Sequence, residues 1–340
     1  MRPSFFHHLH PPTIPAAQAR WRHTLGAGGT AVFLMLILGV TGILEMFYYV
    51  PSPDEAALSV QTIAYLVPFG GFVRNLHFWS AQALIVVAAL HLLRVVFTAA
   101  YKSPRRFNYL LGLGLFVLAV LLDFTGYILR WDVDICWPLT TGTNLLKTIP
   151  LIGGFLFRLA IGGGEACQTA LTRFYTWHLF GLAIPIVVLG VWHIFRVRRD
   201  GGIAAPPANL FLRRARVPRN ELVRREVLTM FAVGIPLILL AALVPAPIAP
   251  AMTGVPSPTD EARAPWFFLW VQEMLKWGDP FIFGVLIPLG ILAVLALVPY
   301  VFPQPADQDI GCWFPKSNRL AQSVVALIGI FILILTLANQ

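Results

Sequence analysis

The sequence predicts an all-α integral membrane protein in which a bundle of four transmembrane helices is followed by three accessory transmembrane helices. Of the 340 residues, 57% are hydrophobic and 12% are charged, about half the charged share of a soluble domain. The mean hydropathy is +0.73. Seven stretches are apolar enough, and close enough to the ~20 residues that a bilayer requires, to be spans. They are Thr30–Val50, Leu76–Ala100, Tyr109–Leu129, Phe174–Val197, Val227–Val244, Phe281–Val301 and Leu320–Leu337.

The polar segments between these stretches divide the chain into four parts. Residues 1–29 are polar and basic and lack the apolar core of a cleavable signal peptide, so we expect a cytoplasmic N-terminal segment. Residues 30–200 hold the first four spans. Residues 201–226 form a basic, proline-containing cytoplasmic connector, and residues 227–340 hold the last three spans.

The net charge of +9 is unevenly distributed along the chain. With the N-terminus in the cytoplasm, 18 of the 25 Lys and Arg residues fall on the cytoplasmic side and seven on the outer side. Positive charge accumulates on the cytoplasmic side of membrane proteins, so this orientation is the predicted one. The basic residues flank spans instead of forming one soluble face, which indicates contact with membrane lipid and argues against binding to nucleic acid.

Two pairs of histidines lie inside the second and fourth apolar stretches. His77 and His91 are fourteen positions apart, and His178 and His193 are fifteen positions apart. A single histidine in a span can serve only to hydrogen-bond a neighbouring helix. Four at matched spacings favour a functional role, because ionisable groups in a membrane are costly.

The spacing of each pair suits two metal ligands on one helix face. Fourteen positions are nearly four turns and advance ~21 Å, so both members of a pair face the same way at two depths. Two such helices side by side predict two bis-histidine haems, an outer one on His77 and His178 and an inner one on His91 and His193. We expect a tilted helix to absorb the difference between the two spacings.

The bundle is therefore predicted to be a four-helix dihaem module. Haem iron with two histidine ligands has no open position and transfers electrons. None of the three cysteines belongs to a CxxC or CxxCH sequence, so no c-type haem site is indicated.

Small and basic residues repeat the histidine spacing. Gly28 and Gly42 are fourteen positions apart on the first span, as are Gly112 and Gly126 on the third, which indicates space for haem edges beside them. The alternative is that glycine only aids close helix packing. Four arginines are candidate partners of haem propionates, with interfacial placement of a long side chain as the alternative. They are Arg74 and Arg173 on the outer side and Arg94 and Arg196 on the inner side.

These residues and three short sequence motifs resemble those of a known family. The motifs are TGYILRWD at Thr125–Asp132, LTRFYTWH at Leu171–His178 and IPLIGG at Ile149–Gly154. With the four histidines, they resemble cytochrome b of the Rieske-containing quinol–cytochrome c oxidoreductase complexes. The histidine spacing is similar to the split chloroplast and cyanobacterial form, but here the accessory helices follow in the same chain. The resemblance extends from about Arg20 to the C-terminus.

The resemblance implies a function. Quinol is oxidised at an outer site, one electron passes to a high-potential acceptor, and the other crosses two b haems to a quinone at an inner site, with protons released outside. The implied partners are a Rieske iron–sulfur protein, a c-type cytochrome, or both, and a second copy of the chain. The implied location is a bacterial inner, energy-transducing membrane.

The outer site departs from the family pattern. The family's Pro-Glu-Trp-Tyr motif corresponds to Ala264-Pro265-Trp266-Phe267, so its glutamate is missing. Quinol oxidation requires a proton acceptor within hydrogen-bond reach. We expect Glu273 to be the first candidate, with an ordinary interfacial carboxylate as the alternative, and Asp123 and Asp132 to follow. Tyr127 and Trp266 complete the predicted catalytic set.

Three other positions bear on function. Arg130 stands where the family has proline in Leu-Pro-Trp. Gly26 stands where chloroplast-type members carry the cysteine of an extra covalent haem, so we expect no such haem. The inner quinone site has three candidates by position, for which a charged helix end is the simpler explanation. They are Glu226, Arg224 and Arg225.

Two rival functions remain open. One is a dihaem b subunit that links the quinone pool to a redox partner without bifurcating electrons. The other is a structural subunit that has lost quinol chemistry, which the missing glutamate favours and the four histidines oppose.

Overall fold

The computed structural model describes residues 12–21, 24–163, 170–206, 215–252 and 263–339. Within these residues seven helices are long and apolar enough to cross a membrane, which confirms the predicted class and number of spans. In chain order they are α1 (Ala27–Met46), α3 (Gly70–Phe97), α4 (Arg106–Ile128), α7 (Ala170–Arg199), α8 (Arg219–Leu243), α10 (Ile282–Val301) and α11 (Arg319–Ala338).

The shorter elements lie between or before the spans. Four short helices are α2 (Ala56–Tyr65), α5 (Cys136–Lys147), α6 (Gly153–Ile161) and α9 (Leu269–Leu275). Two three-residue strands, β1 (Thr13–Pro15) and β2 (Arg216–Pro218), pair antiparallel with Ile14 opposite Val217. This small sheet was not predicted. It ties the N-terminal segment to the connector that precedes α8.

Several helices extend beyond the apolar stretches that predicted them. α8 begins at Arg219, so the last eight residues of the predicted connector, 219–226, are helical. α3 begins at Gly70, six residues before the predicted span. Hydropathy marks where lipid begins, whereas the helix continues into the interface because backbone hydrogen bonding is still satisfied there.

α7 contains a π-helical segment, Trp177–Ala183, and continues as regular helix from Ile184. Pro185 follows directly. Proline provides no N–H and its ring crowds the carbonyl four residues earlier, which favours a wider turn before it. The segment contains His178. A π turn accommodates an additional residue, so it brings the longer spacing of His178 and His193 into register with the shorter spacing on α3. A tilt of the helix is therefore not needed to absorb the difference between the two histidine spacings.

A buried apolar layer crosses the middle of the four-helix bundle. It is formed by Leu34 of α1, Leu84 of α3, Ala119 of α4 and Ile186 of α7, together with Leu237 of α8. Each of the first four lies about midway along its helix between the two predicted haem levels. The layer therefore separates the level of His77 and His178 from the level of His91 and His193.

Candidate functional site

At the outer level, two histidine rings lie against glycines of neighbouring helices. A Cβ built on Gly42 of α1 would lie 3.1 Å from Cε1 of His77 on α3. A Cβ built on Gly126 of α4 would lie 3.0 Å from Cε1 of His178 on α7. Side chains other than glycine would displace both rings, so these glycines set where the imidazoles lie.

The inner level repeats this arrangement. A Cβ on Gly28 of α1 would lie 3.4 Å from Cε1 of His91, and one on Gly112 of α4 would lie 3.1 Å from Cε1 of His193. His91 and His193 line one cavity of about 600 Å³, which is within the usual range for small-molecule sites. All four glycines thus contact histidine rings. This refines their predicted role, which was to make room for a haem edge.

Two threonines that the sequence analysis missed orient the outer histidines. Thr41 Oγ1 lies 2.8 Å from Nδ1 of His77, and Thr125 Oγ1 lies 2.9 Å from Nδ1 of His178. The Thr41 hydroxyl donates to the Ile37 carbonyl at 2.7 Å, so its oxygen is left to accept the Nδ1 proton of His77. That tautomer leaves Nε2 unprotonated, as a metal ligand must be. A signal existed in the sequence, because each threonine directly precedes a predicted glycine.

The residues present fit b-type haem. Glycines leave room for four imidazoles, threonines select the ligating tautomer on two of them, and the inner pair lines a cavity of suitable size. Among the described residues no group of three or more His, Cys, Asp or Glu side chains is placed to hold a metal ion. Two histidines per metal is the ligand set of a bis-histidine haem, whose remaining ligands come from the porphyrin.

The four predicted propionate partners have different surroundings. Arg74 is buried, and its guanidinium donates to the carbonyls of Ala246 at 3.1 Å and Pro247 at 2.6 Å. Arg94 is buried, lines the inner cavity and donates to the Ala204 carbonyl at 3.1 Å.

The other two arginines are directed differently. Arg196 forms an ion pair with Asp200 at 2.9 Å and lies 4.9 Å from the ring centre of Phe107. Arg173 is exposed beside the end of α6, where its Nε would lie 2.7 Å from a Cβ on Gly162. Of the four predicted propionate partners, only Arg94 lines the inner cavity. Arg74 instead holds the segment after α8 through its bonds to Ala246 and Pro247.

Further charged groups line the inner cavity. Arg105, Arg198, Arg219 and Glu226 belong to its wall, and of these the sequence analysis singled out only Glu226. Arg225 donates instead to the Ala19 carbonyl and lies 4.0 Å from Glu221. Arg105 and Arg198 were not distinguishable as cavity residues in the sequence, because basic residues flank several of the spans.

Arg130 forms the centre of a charged cluster directly after α4. Its Nε donates to Asp132 at 2.8 Å and its Nη2 to Asp134 at 2.9 Å, and its guanidinium lies 5.1 Å from the ring centre of Tyr127. Asp132 also accepts the backbone N–H of Ala249 at 3.2 Å. Burial raises the pKa of the Asp132 carboxyl above its ordinary value, and the Arg130 guanidinium opposes that rise.

This cluster fixes the loop after α8 to the end of α4. The backbone N–H of Val133 donates to the Pro250 carbonyl at 3.0 Å, and Asp132 and Ala251 form an antiparallel bridge. With Arg74, these bonds hold residues 246–251 against α3 and the end of α4. The predicted acceptor Asp132 and the arginine in place of the family proline are thus parts of one structural pair.

The remaining predicted outer-site residues belong to three separate sets of hydrogen bonds. The indole N–H of Trp266 donates to Oε1 of Gln82, and Nε2 of Gln82 donates to both carboxylate oxygens of Asp123 at 3.0 and 3.1 Å. Glu273 instead accepts from Lys276, whose ammonium also contacts Asn339 at 2.9 Å. The Tyr127 hydroxyl donates to the Asp134 carbonyl at 3.3 Å.

Comparison with known sequences decides the family. A family model described as Cytochrome b/b6/petB matches residues 15–201. This range contains His77, His91, His178 and His193 and is more than half of the chain. The chain belongs to the cytochrome b family.

Individual relatives agree with this assignment. The chain is 36% identical over 183 residues to cytochrome b6 of Heliomicrobium gestii, covering 53% of this chain and 86% of the relative. It is 37% identical over 174 residues to cytochrome b6 of Synechococcus elongatus, covering 51% of this chain and 81% of that relative.

A solved structure resembles nearly the whole fold. A chain of a "Hyperthermophilic respiratory Complex III" has a TM-score of 0.72 with 18% identity, covering 93% of this chain and 91% of that chain. At this identity the likeness concerns the fold alone. At 93% coverage it extends well beyond residues 15–201, which the family model matches.

Gly26 has a structural reason to be glycine in this cytochrome b. Its φ is +66°, a left-handed conformation that side-chain-bearing residues rarely adopt. A Cβ there would also lie 2.7 Å from Oγ1 of Thr229, whose hydroxyl accepts the indole N–H of Trp21 at 2.8 Å. A cysteine at this position would have to displace α8.

Proposed function

We propose that this chain is the cytochrome b subunit of a quinol-oxidising, proton-translocating respiratory or photosynthetic complex. The observation that carries the proposal is the two-level register of histidines and glycines. Each ring of His77, His178, His91 and His193 faces its own glycine, and a buried apolar layer lies between the levels. Family membership and the Complex III fold support the same function.

In this proposal the chain holds two b haems. His77 and His178 would ligate the outer haem, and His91 and His193 the inner one. Haem with two histidine ligands supplies one-electron transfer without an open iron position. The chain's own residues fix the imidazoles through Gly42, Gly126 and their partner threonines, and the apolar layer at Leu34 excludes water between the levels.

The quinone sites lie on opposite sides of the membrane in this proposal. Quinol would be oxidised at an outer site near Trp266 and Tyr127, and quinone would be reduced near the inner cavity, where Glu226 is available for protonation. The asymmetric distribution of basic residues favours a cytoplasmic position for the inner cavity. This arrangement would release protons outside and take them up inside.

The proposed complex contains other subunits. One electron from quinol would go to a Rieske iron–sulfur protein or a c-type cytochrome. The chain has no CxxCH sequence, and its described residues hold no cluster of ligands for an iron–sulfur centre. Many large apolar side chains of the spans are exposed in the isolated chain, which suits contact with lipid, partner helices or a second copy of the chain. A bacterial inner membrane is the proposed location.

The test is oxidant-induced reduction of b haem in native membranes. The quinone pool is reduced, the inner site is blocked by an inhibitor, and a pulse of high-potential oxidant is given while b-haem absorbance is recorded. Transient b-haem reduction is expected, because removal of one electron from quinol forces the second onto the b haems. If two b haems are present and no reduction occurs, the chain is a non-bifurcating dihaem conduit and the proposal fails.

A further inference from the structure

The geometry points to Asp123 as the proton acceptor for quinol at the outer site, held in place by Gln82 and Trp266. The inference rests on the proposed function and adds the group that takes the proton. It concerns three residues on three separate parts of the chain: α4, α3 and the loop before α9.

The first support is a continuous set of hydrogen bonds. Trp266 belongs to the segment in which the family glutamate is missing, and its indole N–H donates to Oε1 of Gln82. The Gln82 amide donates to both oxygens of Asp123 at 3.0 and 3.1 Å. A carboxylate is therefore linked to the outer-site tryptophan through one amide, although it comes from a different helix.

The second support is the position of Asp123. It lies in the span α4, three residues before Gly126, which faces the proposed outer ligand His178. Among the described residues Asp123 has no ion-pair partner. A carboxylate in a span without a counter-ion is costly and marks a functional position.

The third support is a set of packed aromatic rings on the segment that holds Trp266. Trp266 packs edge-on against Phe267 at 5.9 Å between ring centres, Phe267 packs against Phe268 at 4.9 Å, and Phe268 contacts the ring of Phe124 on α4 at 5.5 Å. Apolar rings on a segment whose tryptophan is linked to a hydrogen-bond acceptor suit a ring that bears a hydroxyl group, which is the reacting part of a quinol.

The two competing carboxylates are already engaged. Glu273 accepts from Lys276, and Asp132 accepts from Arg130 and from the backbone of Ala249. Among the described residues, the side chain that donates hydrogen bonds to Asp123 is the uncharged amide of Gln82 from α3. Asp123 is therefore the acid whose oxygens retain lone pairs with no neighbouring cation to compete for them.

The proton step balances as a simple transfer. The O–H bond of the quinol hydroxyl breaks, an O–H bond forms on a carboxylate oxygen of Asp123, and quinol becomes its monoanion. The electron then leaves to the high-potential partner named in the proposed function. Trp266 and Gln82 are positioning residues, since they act on Asp123.

The decisive variants are Asp123→Asn and Asp123→Glu, with Asp54→Asn as the matched control. Asp54 is an exposed carboxylate before α2 on the outer side. In the oxidant-pulse assay, D123N is expected to slow b-haem reduction about 100-fold, as expected for loss of a general base. D123E is expected to recover part of the rate, and D54N to retain it. Chemically reduced spectra with two b haems establish that each variant is assembled.

The pH profile separates a proton acceptor from a structural residue. The wild-type rate is expected to rise with pH as the acceptor ionises, and D123N to lose this inflection. Gln82→Met removes both hydrogen bonds to the carboxylate and should move the inflection to higher pH. Infrared difference spectra of quinol binding provide a readout independent of turnover: a carboxylic-acid band that shifts with ¹³C-labelled aspartate should be present in wild type and absent in D123N.

The outcomes distinguish the two levels of inference. If wild-type membranes show no oxidant-induced b-haem reduction, the proposed function fails. If they do show it and D123N matches wild type in rate and pH profile, Asp123 is not the acceptor. In that case Glu273→Gln, tested in parallel, identifies the alternative if it alone removes the inflection. If D123N does not assemble, an unshifted profile in both D123E and Q82M overturns the inference.

Discussion

Thr125 Oγ1 lies 2.9 Å from Nδ1 of His178, and the residue after Thr125 is the glycine against which the same ring packs. Thr41 and Gly42 have the same relationship with His77. One dipeptide thus performs two tasks at each outer ligand, since threonine selects the tautomer and glycine leaves space for the ring. At the inner level Nδ1 of His91 has no hydrogen-bond partner within the described part of the chain. The two proposed haem sites therefore differ in ligand environment.

The threonine contacts predict a selective change in the outer haem. Thr41→Val keeps the side-chain shape and removes the acceptor of the His77 Nδ1 proton. The ligand becomes less basic, which favours reduced iron. A lost hydrogen bond of roughly 0.5–1.5 kcal/mol corresponds to a rise of about 20–60 mV in the one-electron midpoint potential.

Redox titration of b-haem absorbance measures this effect. Thr336→Val on α11 is the control, because Thr336 makes the same type of bond to a backbone carbonyl, at 2.8 Å to Ile332, with no bond to histidine. The outer potential should rise in T41V and stay unchanged in T336V. Equal shifts of both haems in T41V would contradict the assignment of Thr41 to one level.

The glycines predict a loss of haem content. Gly126→Ala would place a Cβ 3.0 Å from Cε1 of His178, closer than atoms normally pack, so the ring has to move from its ligating position. Gly114 lies on the same helix, and no atom of the described chain is within 4 Å of the position that an alanine methyl group would take there. Haem quantification should give about one b haem per chain for G126A and two for G114A, since bis-histidine ligation needs both rings. Two haems in G126A would show that the ring tolerates the displacement.

The spans and the proposed ligands were predictable because each depends on a local pattern. Lipid requires long apolar helices, and a histidine is conspicuous in that context. The role of Thr41 was missed although it directly precedes Gly42, because a threonine inside a helix usually bonds only its own backbone. The π-helical segment around His178 was also missed. Pro185 is visible in the sequence, but whether proline kinks, breaks or widens a helix depends on the surrounding packing.

Equal spacing along two helices did not imply equal surroundings. Arg94 and Arg196 each follow an inner histidine by three residues. The structure places Arg94 on the cavity wall, whereas Arg196 pairs with Asp200, four residues later on its own helix. The connection from Trp266 through Gln82 to Asp123 joins residues up to 184 positions apart, and no local pattern encodes a contact of that range.

The Arg130–Asp132 pair predicts a stability effect that depends on pH. Arg130→Leu leaves the buried Asp132 without its cation, and loss of one partner of a buried pair costs about 3–5 kcal/mol. Burial then raises the pKa of Asp132 without opposition. A raised folded-state pKa gives stability that is present at low pH and is lost as pH rises through it, so the destabilisation by R130L should be smaller at acidic pH.

The destabilisation by R130L is measured by thermal unfolding of the detergent-solubilised protein at several pH values. Asp134→Asn is the matched control, because Asp134 also accepts from Arg130 but its side chain is 51% exposed. An exposed pair contributes at most about 1 kcal/mol, so D134N should lower Tm only slightly. A loss in R130L that is equal to that in D134N, or that does not vary with pH, would show that Asp132 is not held by Arg130.

The inner cavity predicts unequal effects of Arg105, which the sequence does not mark as a propionate partner, and Arg196, which it does. Arg105 lines the cavity and donates to the Gly202 carbonyl at 3.3 Å, whereas Arg196 is not among the lining residues and pairs with Asp200 at 2.9 Å. Removing a cation beside a haem disfavours its reduced form, so Arg105→Gln should lower the inner-haem midpoint potential by on the order of tens of millivolts. Arg196→Gln should lower that potential less, because Arg196 is not among the residues that line the cavity and its charge is farther from the proposed haem. Redox titration of the two variants resolves the inner from the outer haem, and a larger shift in R196Q than in R105Q would mean that the haem is held through Arg196.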